Sequence, residues 1–284
     1  MKKATTRNPW AWIPTLYFAE GLPYVIVMTV SVIMYKRLDI SNTDIALYTS
    51  WLYLPWVIKP IWSPIVDNLK TKRFWIISMQ LLVGGGLAGV AFTIPMSNFF
   101  QYSLAFLWLM AFSSATHDIA ADGFYMLGLS KHDQAFFVGI RNTFYRFAML
   151  AGQGPLVILA GHLETIASKT SWAWSITFFI MAILFLAFFL WHLIILPRPT
   201  SDKKQEPKSM KEVMADFGET FVSFFKKEGI GVALIFLLVF RLGEAQLAKL
   251  ASPFLLDDIS KGGLGLTTSD IGFIYGTAGI IALT

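Results

Sequence analysis

Apolar residues run through this chain in long unbroken stretches, and most charged residues fall between them. Runs of membrane-crossing length lie at 12–34, 45–66, 74–95, 102–127, 136–160, 172–196 and 229–250, and an eighth opens at 271. A hydrocarbon layer about 30 Å thick takes roughly 20 apolar helical residues to cross. The pattern therefore predicts seven complete membrane-spanning helices and part of an eighth. The last run reaches Thr284 while still apolar, which reads as an end inside a helix. Lys2, Lys3 and Arg7 lead straight into the first run, which holds Glu20 and no small-residue cleavage site. It is expected to stay as a helix and not to be removed as a signal peptide.

The pattern changes between the sixth and seventh runs, where Pro197, Pro199, Ser201 and Pro207 interleave with acidic and basic residues. The reading is a bundle over 1–196, a linker over 197–228 and the start of a second bundle over 229–284. Inside the linker, Ser209 and Glu212 form a capping-box pair ahead of Met210, Val213, Met214, Phe217, Phe221, Phe224 and Phe225 at helical spacing. This predicts an amphipathic helix lying on the membrane surface. Thr43-Asp44-Ile45-Ala46 and Ser269-Asp270-Ile271-Gly272 open the second and eighth runs alike, each after a run holding a glutamate read as buried, Glu20 or Glu244. Six spans, a linker and a restart of the same pattern suit a transporter built from two six-helix halves.

Composition agrees with a polytopic membrane protein: 55% hydrophobic and 14% charged residues, with a mean hydropathy of +0.58. Lys and Arg concentrate on the side of Met1, at the start, at Lys70, Lys72 and Arg73, and through the linker. The opposite side carries Lys36, Arg37, Lys169 and Lys261. That bias predicts a cytoplasmic N-terminus and accounts for a pI near 9.3 without a nucleic-acid partner. The chain has no cysteine, which removes disulfides, thiol nucleophiles and Cys-ligated metals from consideration.

Against this apolar background the polar residues inside the runs carry the chemistry. The fourth run contains SSATHDIAADGFYM over 113–126, with Asp118 and Asp122 one helical turn apart on one face. A carboxylate in hydrocarbon costs several kcal/mol, so both must face a cavity or a cation. Asn142, Arg146 and Gln153 make a polar stripe on the fifth run, and Glu20 and Lys59 lie deep in the first and second. At a rise of 1.5 Å per residue, Glu20, Lys59, Asp118 and Arg146 all fall roughly 12 to 15 Å from the inner face. They are expected to form one charge-balanced cluster. His162 and His192 sit near run ends and read as interfacial.

Three stretches resemble the Major Facilitator Superfamily, and within it the AmpG-type muropeptide permeases and the related acetyl-coenzyme A transporters. FAEGLP over 18–23 resembles the family's F-x-x-G-L-P; PWVIKPIWSPIVD over 55–67 resembles its K-x-x-W-x-P-x-x-D; HDIAADG over 117–123 resembles its Q-D-I-A-x-D-[AG]. His117 replaces the family's glutamine, and the basic loop after Asp67 is reduced to Lys70, Lys72 and Arg73. The resemblance implies an all-α membrane bundle and a helix-end, gating role for Asp67. It implies secondary transport in the bacterial inner membrane, with proton-coupled uptake of an anionic cell-wall-derived saccharide or muropeptide. The site residues would be Glu20, Lys59, Asp118, Asp122, Asn142, Arg146 and Gln153. The alternatives are an acetyl-coenzyme A-like or other organic-anion transporter, and a membrane enzyme holding a divalent metal on His117, Asp118 and Asp122. The chain lacks a paired D-D-x-x-D or H-E-x-x-H signature. No cofactor is expected, the partners are the solute, a proton and the lipid bilayer, and the full-length protein is expected to be a monomer.

Overall fold

The computed structural model describes residues 7–202 and 210–278. Lys2, Lys3, Pro207, the Ser209 cap and the apolar end at Thr284 lie outside the described residues. The chain is an all-α bundle whose spans alternate in direction, so they are named by order. The first is Pro9–Arg37, the third Lys72–Thr93, the fourth Phe99–Gly128, the sixth Thr170–Ile195 and the seventh Ile230–Leu256. These five are long and apolar enough to cross a membrane.

The other spans are irregular, for reasons visible in their sequences. The second is a string of pieces, Asn42–Ser50, Leu54–Ile58 and Ser63–Leu69, joined by tight turns at Trp51–Tyr53 and Lys59–Ile61. Pro55, Pro60 and Pro64 each remove a backbone donor, so a continuous ladder cannot form. The fifth breaks between Lys131–Gln153 and Pro155–Ile166, at Gly154-Pro155. The eighth is described over Thr268–Phe273 and a wider π-turn, Ile274–Ala278. In the first span Pro23 is followed by another π-turn, Ile26–Val30. Met210–Phe225 is helical, with Phe221, Phe224 and Phe225 exposed.

Caps mark where the spans begin. Ser41 Oγ accepts from Asp44 N at 3.1 Å, and Thr267 Oγ1 accepts from Asp270 N at 3.2 Å. The stretches that open the second and eighth spans alike in sequence are thus alike in geometry. Ser130 caps the fifth span through Asp133 in the same manner, so the device is local N-cap chemistry.

The third span packs on the fourth and sixth, the first on the fourth and fifth, and the eighth on the far half of the fifth. Buried Val25, Ile33, Leu107, Met110, Trp174 and Phe178 fill the centre, and Trp12, Leu16, Ile76 and Phe124 fill the N-terminal end. Ile183, Leu186, Leu190 and Ile194 on the sixth span are exposed, as a lipid-facing surface requires. Where the first span meets the fifth, a Cβ at Gly152 would lie 2.2 Å from Val25 Cγ1, whereas at Gly139 it would meet nothing within 4 Å.

That contrast gives a stability test. Gly152→Ala should destabilise the full-length protein by about 1–3 kcal/mol through overpacking, while Gly139→Ala should be neutral or gain up to about 1 kcal/mol from helix propensity. Thermal unfolding in detergent measures both, and equal melting temperatures would show that this contact is not close-packed.

Candidate transport site

Spans one, two, four and five enclose a cavity of about 440 Å³, lined by Tyr17, Glu20, Tyr24, Tyr53, Trp56, Lys59, Asp118, Asp122, Arg141, Asn142 and Tyr145. Each charged group is placed by a local feature. Lys59 sits in the tight turn ahead of Pro60. Asp118 and Asp122 are one turn apart on the continuous fourth span, and Glu20 precedes the Gly21–Pro23 segment of the first.

The charges form two pairs and a remainder. Lys59 Nζ pairs with Asp118. Arg141 Nη1 donates to Asp122 Oδ1 at 2.8 Å and to Tyr17 OH at 3.0 Å, and Tyr17 OH donates to Asp122 at 3.2 Å. The Arg141 guanidinium lies 5.1 Å from the Tyr17 ring centre and 4.9 Å from that of Tyr125, a clamp between two aromatic rings. Its Nε is buried without a hydrogen-bond partner. Glu20 is 7% exposed, and its Oε2 has no partner. Among the residues lining the cavity, three carboxylates therefore face two bases. Tyr24 stands edge-on to Trp56 and Tyr53, with ring centres 5.2 and 6.4 Å apart, which adds an aromatic wall.

Of the residues singled out in the sequence, the structure brings Glu20, Lys59, Asp118, Asp122 and Asn142 to this cavity. Arg146 is exposed and outside its lining, and Gln153 is half-buried at the end of its helix. The base facing the acids from the fifth span is Arg141. Depth counting missed it because that helix begins at Lys131, five residues before the apolar run, and the count shifted by the same amount. The aromatic residues gave no signal, since tyrosine and tryptophan also populate membrane interfaces.

His117 is turned away from the two aspartates and meets Gln80 at 3.0 Å, so His117, Asp118 and Asp122 do not converge. Among the described residues no group of three or more histidine, cysteine, aspartate and glutamate side chains is placed to hold a metal. His192, expected at the interface, is fully buried; its partners lie at the same level inside the bundle. Glu244, read as buried, is exposed and pairs with Arg241 of its own helix at 2.9 Å.

Both ends of the bundle are tied by polar contacts. At the N-terminal end Asp67 pairs with Lys72 across the turn between the second and third spans. Asp202 accepts from Lys72 N at 2.7 Å and Arg73 N at 3.1 Å, capping the third span with the first residues of the linker. At the opposite end Glu164 accepts from Arg37 Nη2 at 3.0 Å, Trp174 Nε1 at 2.8 Å and Thr268 Oγ1 at 2.8 Å. Lys36 pairs with Asp257 at 2.5 Å, and Asn42 Nδ2 donates to the same carboxylate at 2.8 Å. Gly154 and Gly276 approach so closely that a Cβ on the first would stand 2.7 Å from the Cα of the second. Spans one, two and five are thus joined to seven and eight at this end.

An all-helical bundle of membrane-length apolar helices surrounds a charged, aromatic-lined cavity, which is the architecture of a polytopic membrane protein. The chain belongs to the Major Facilitator Superfamily, whose family model matches residues 15–284. It is 27% identical to a putative transporter AmpG 4 of Rickettsia conorii, over 94% of this chain and 63% of that one. It is 24% identical to the anhydromuropeptide permease of Escherichia coli K12, over 94% of this chain and 51% of that one. The chain therefore spans about half to two thirds of the length of these relatives. Among solved structures, a D-xylose-proton symporter superposes with a TM-score of 0.60 at 13% identity, covering 96% of this chain and 66% of that one.

The opposite-end contact carries a pH prediction. Hydrogen bonds from Lys36 and then Asn42 hold the Asp257 carboxyl below its ordinary value of 3.8. A depressed carboxylate supports its contact fully above that ordinary value and loses it as pH falls through the lower, bound-state value. Spin labels at Ser41 and Lys261 should therefore stay close at pH 7 and separate below about pH 3.8, whereas Asp257→Asn should separate them already at pH 7. Unchanged distances in both experiments would remove Asp257 from the closure.

Proposed function

We propose that the chain is the N-terminal part of a proton-coupled secondary transporter that takes up an anionic cell-wall-derived saccharide or muropeptide by alternating access. In this reading residues 1–196 form one bundle, 197–228 the linker and 229–284 the start of the second bundle. The basic N-terminal end faces the cytoplasm of a bacterial inner membrane. The name of the Escherichia coli relative, an anhydromuropeptide permease, supports the substrate class, and the cavity supplies chemistry that suits it. Lys59 and Arg141 are bases for an acidic substituent, Asn142 offers an amide, and the aromatic wall suits the face of a sugar ring.

The observation that carries the proton is the excess of carboxylates over bases. A substrate anion competes with Asp118 for Lys59 or with Asp122 for Arg141, and the negative charge it adds beside buried Glu20 favours proton uptake there. Glu20, already without a base, is the coupling residue in this account. Asp118 and Asp122 hold the two bases until substrate arrives. The contacts of Glu164 and Asp257 keep the far end shut while the cavity exchanges with the other side, and Asp67 serves the corresponding closure at the N-terminal end.

The test uses the full-length protein in vesicles with labelled anhydromuropeptide. Glu20→Gln should keep exchange of internal for external substrate while gradient-driven accumulation falls about tenfold or more, because the site still binds anion but carries no proton. Accumulation at the wild-type level would remove Glu20 from coupling, and no uptake by the wild-type protein would remove the substrate class.

A further inference from the structure

Behind the cavity a second set of polar side chains is buried among spans one, three, four and six. Thr15 Oγ1 hydrogen-bonds with His192 Nε2 at 3.0 Å and donates to Trp12 O at 3.3 Å. His192 Nδ1–H donates to Gln80 Oε1 at 2.9 Å, and Gln80 Nε2–H donates to His117 Nε2 at 3.0 Å. Gln80 and His192 are 0% exposed and His117 3%. The Gln80 amide meets one imidazole through its oxygen and the other through its nitrogen, so the two histidines are joined through it. The far end, His117 Nδ1, is buried without a partner.

This chain of bonds lies beside the transport site in sequence and on the other side of the helix in space. Consecutive helical residues are turned by about 100°, so fixing His117 against the third span fixes the direction of Asp118, and with it Asp122. Around His117 the buried face includes the small side chains Ser113, Ser114, Ala115, Ala120 and Ala121, with the next large anchor, Phe124, two turns on against Trp12 at 5.3 Å. The other directional tie here, Trp62 Nε1 to Thr116 Oγ1 at 3.2 Å, runs to the broken second span. Thr15 in turn lies two residues from Tyr17, which bonds to Asp122 from the cavity side. The fourth span is thus held from behind through His117 and from in front through Asp122, with the first span at both ends of the circuit.

We propose that Thr15, His192, Gln80 and His117 form a positioning strut that sets the rotation of the fourth span and keeps Asp118 and Asp122 turned toward Lys59 and Arg141. The proposal rests on these aspartates being the working carboxylates, and its test needs no substrate. These 284 residues contain no cysteine, so in the full-length protein, with any cysteine outside them replaced by serine, Ala121→Cys on the face of His117 reports rotation through its rate of reaction with a small hydrophilic thiol reagent. Gln80→Leu and His117→Leu should each raise that rate about tenfold, the expected effect of losing one or two buried hydrogen bonds. His117→Gln, which retains a polar group toward Gln80, should leave it near the parent rate. Thr15→Val, a milder cut at the partly exposed end, should raise it about twofold and serves where Gln80→Leu fails to accumulate. Lower melting temperatures with unchanged labelling in the leucine variants would reduce the strut to a stabilising contact and overturn the proposal, as would equally fast labelling of His117→Gln and His117→Leu. A failed uptake assay with the expected labelling would instead count against the transport reading alone.

Discussion

A charge inside a membrane protein must be matched by another charge or by water, and the centre of this molecule is arranged around that requirement. Lys59 with Asp118 and Arg141 with Asp122 satisfy it in pairs. Glu20 lies beside them, buried, with an oxygen that no donor reaches. The cost of desolvating ions is repaid when partners are close and well oriented, and the Tyr17 hydroxyl and the rings of Tyr17 and Tyr125 provide that orientation for Arg141. The pairs hold the second and fifth spans to the fourth by bonds that a competing anion can replace. That makes them suited to a step in which helices separate.

The irregular backbone follows the same logic. A span facing only lipid keeps an unbroken ladder, because nothing else satisfies its backbone groups. The third and sixth spans, packed together away from the cavity, are continuous. The second span, which presents Lys59, is broken by prolines, and the fifth, which presents Arg141, breaks at Gly154-Pro155. At that break the fifth span meets the eighth through Gly154, Gly272 and Gly276, so the joint between the first six spans and the following two is made of small residues. Small residues at such a contact let the helix backbones approach closely.

Much of this was legible in the sequence, because hydrophobic run length and charge burial are one-dimensional properties. The membrane-length helices and the meeting of Glu20, Lys59 and Asp118 at one cavity follow from them. Direction around a helix axis is harder to read. Arg146 was expected in the cluster from its depth in an apolar run, yet the helix begins at Lys131 and brings Arg141 to that level. His192 looked interfacial because it lies near the end of its run, whereas Trp191 takes the exposed position and His192 turns inward to Gln80. Glu244 was read as buried by analogy with Glu20, and it lies on an exposed face. In each case depth was available from residue counting, and azimuth required the neighbouring helices.

Beside the unpaired Glu20, Lys59 and Asp118 act as a unit, each holding the other's charge in the cavity. Charge exchange in the full-length protein tests it directly, by comparing the folded amount of Lys59→Asp, Asp118→Lys and the double variant in membranes. Each single variant, leaving two like charges facing each other across the cavity, should accumulate poorly, and the double variant should recover most of the wild-type level. A double variant no better than the worse single would contradict it.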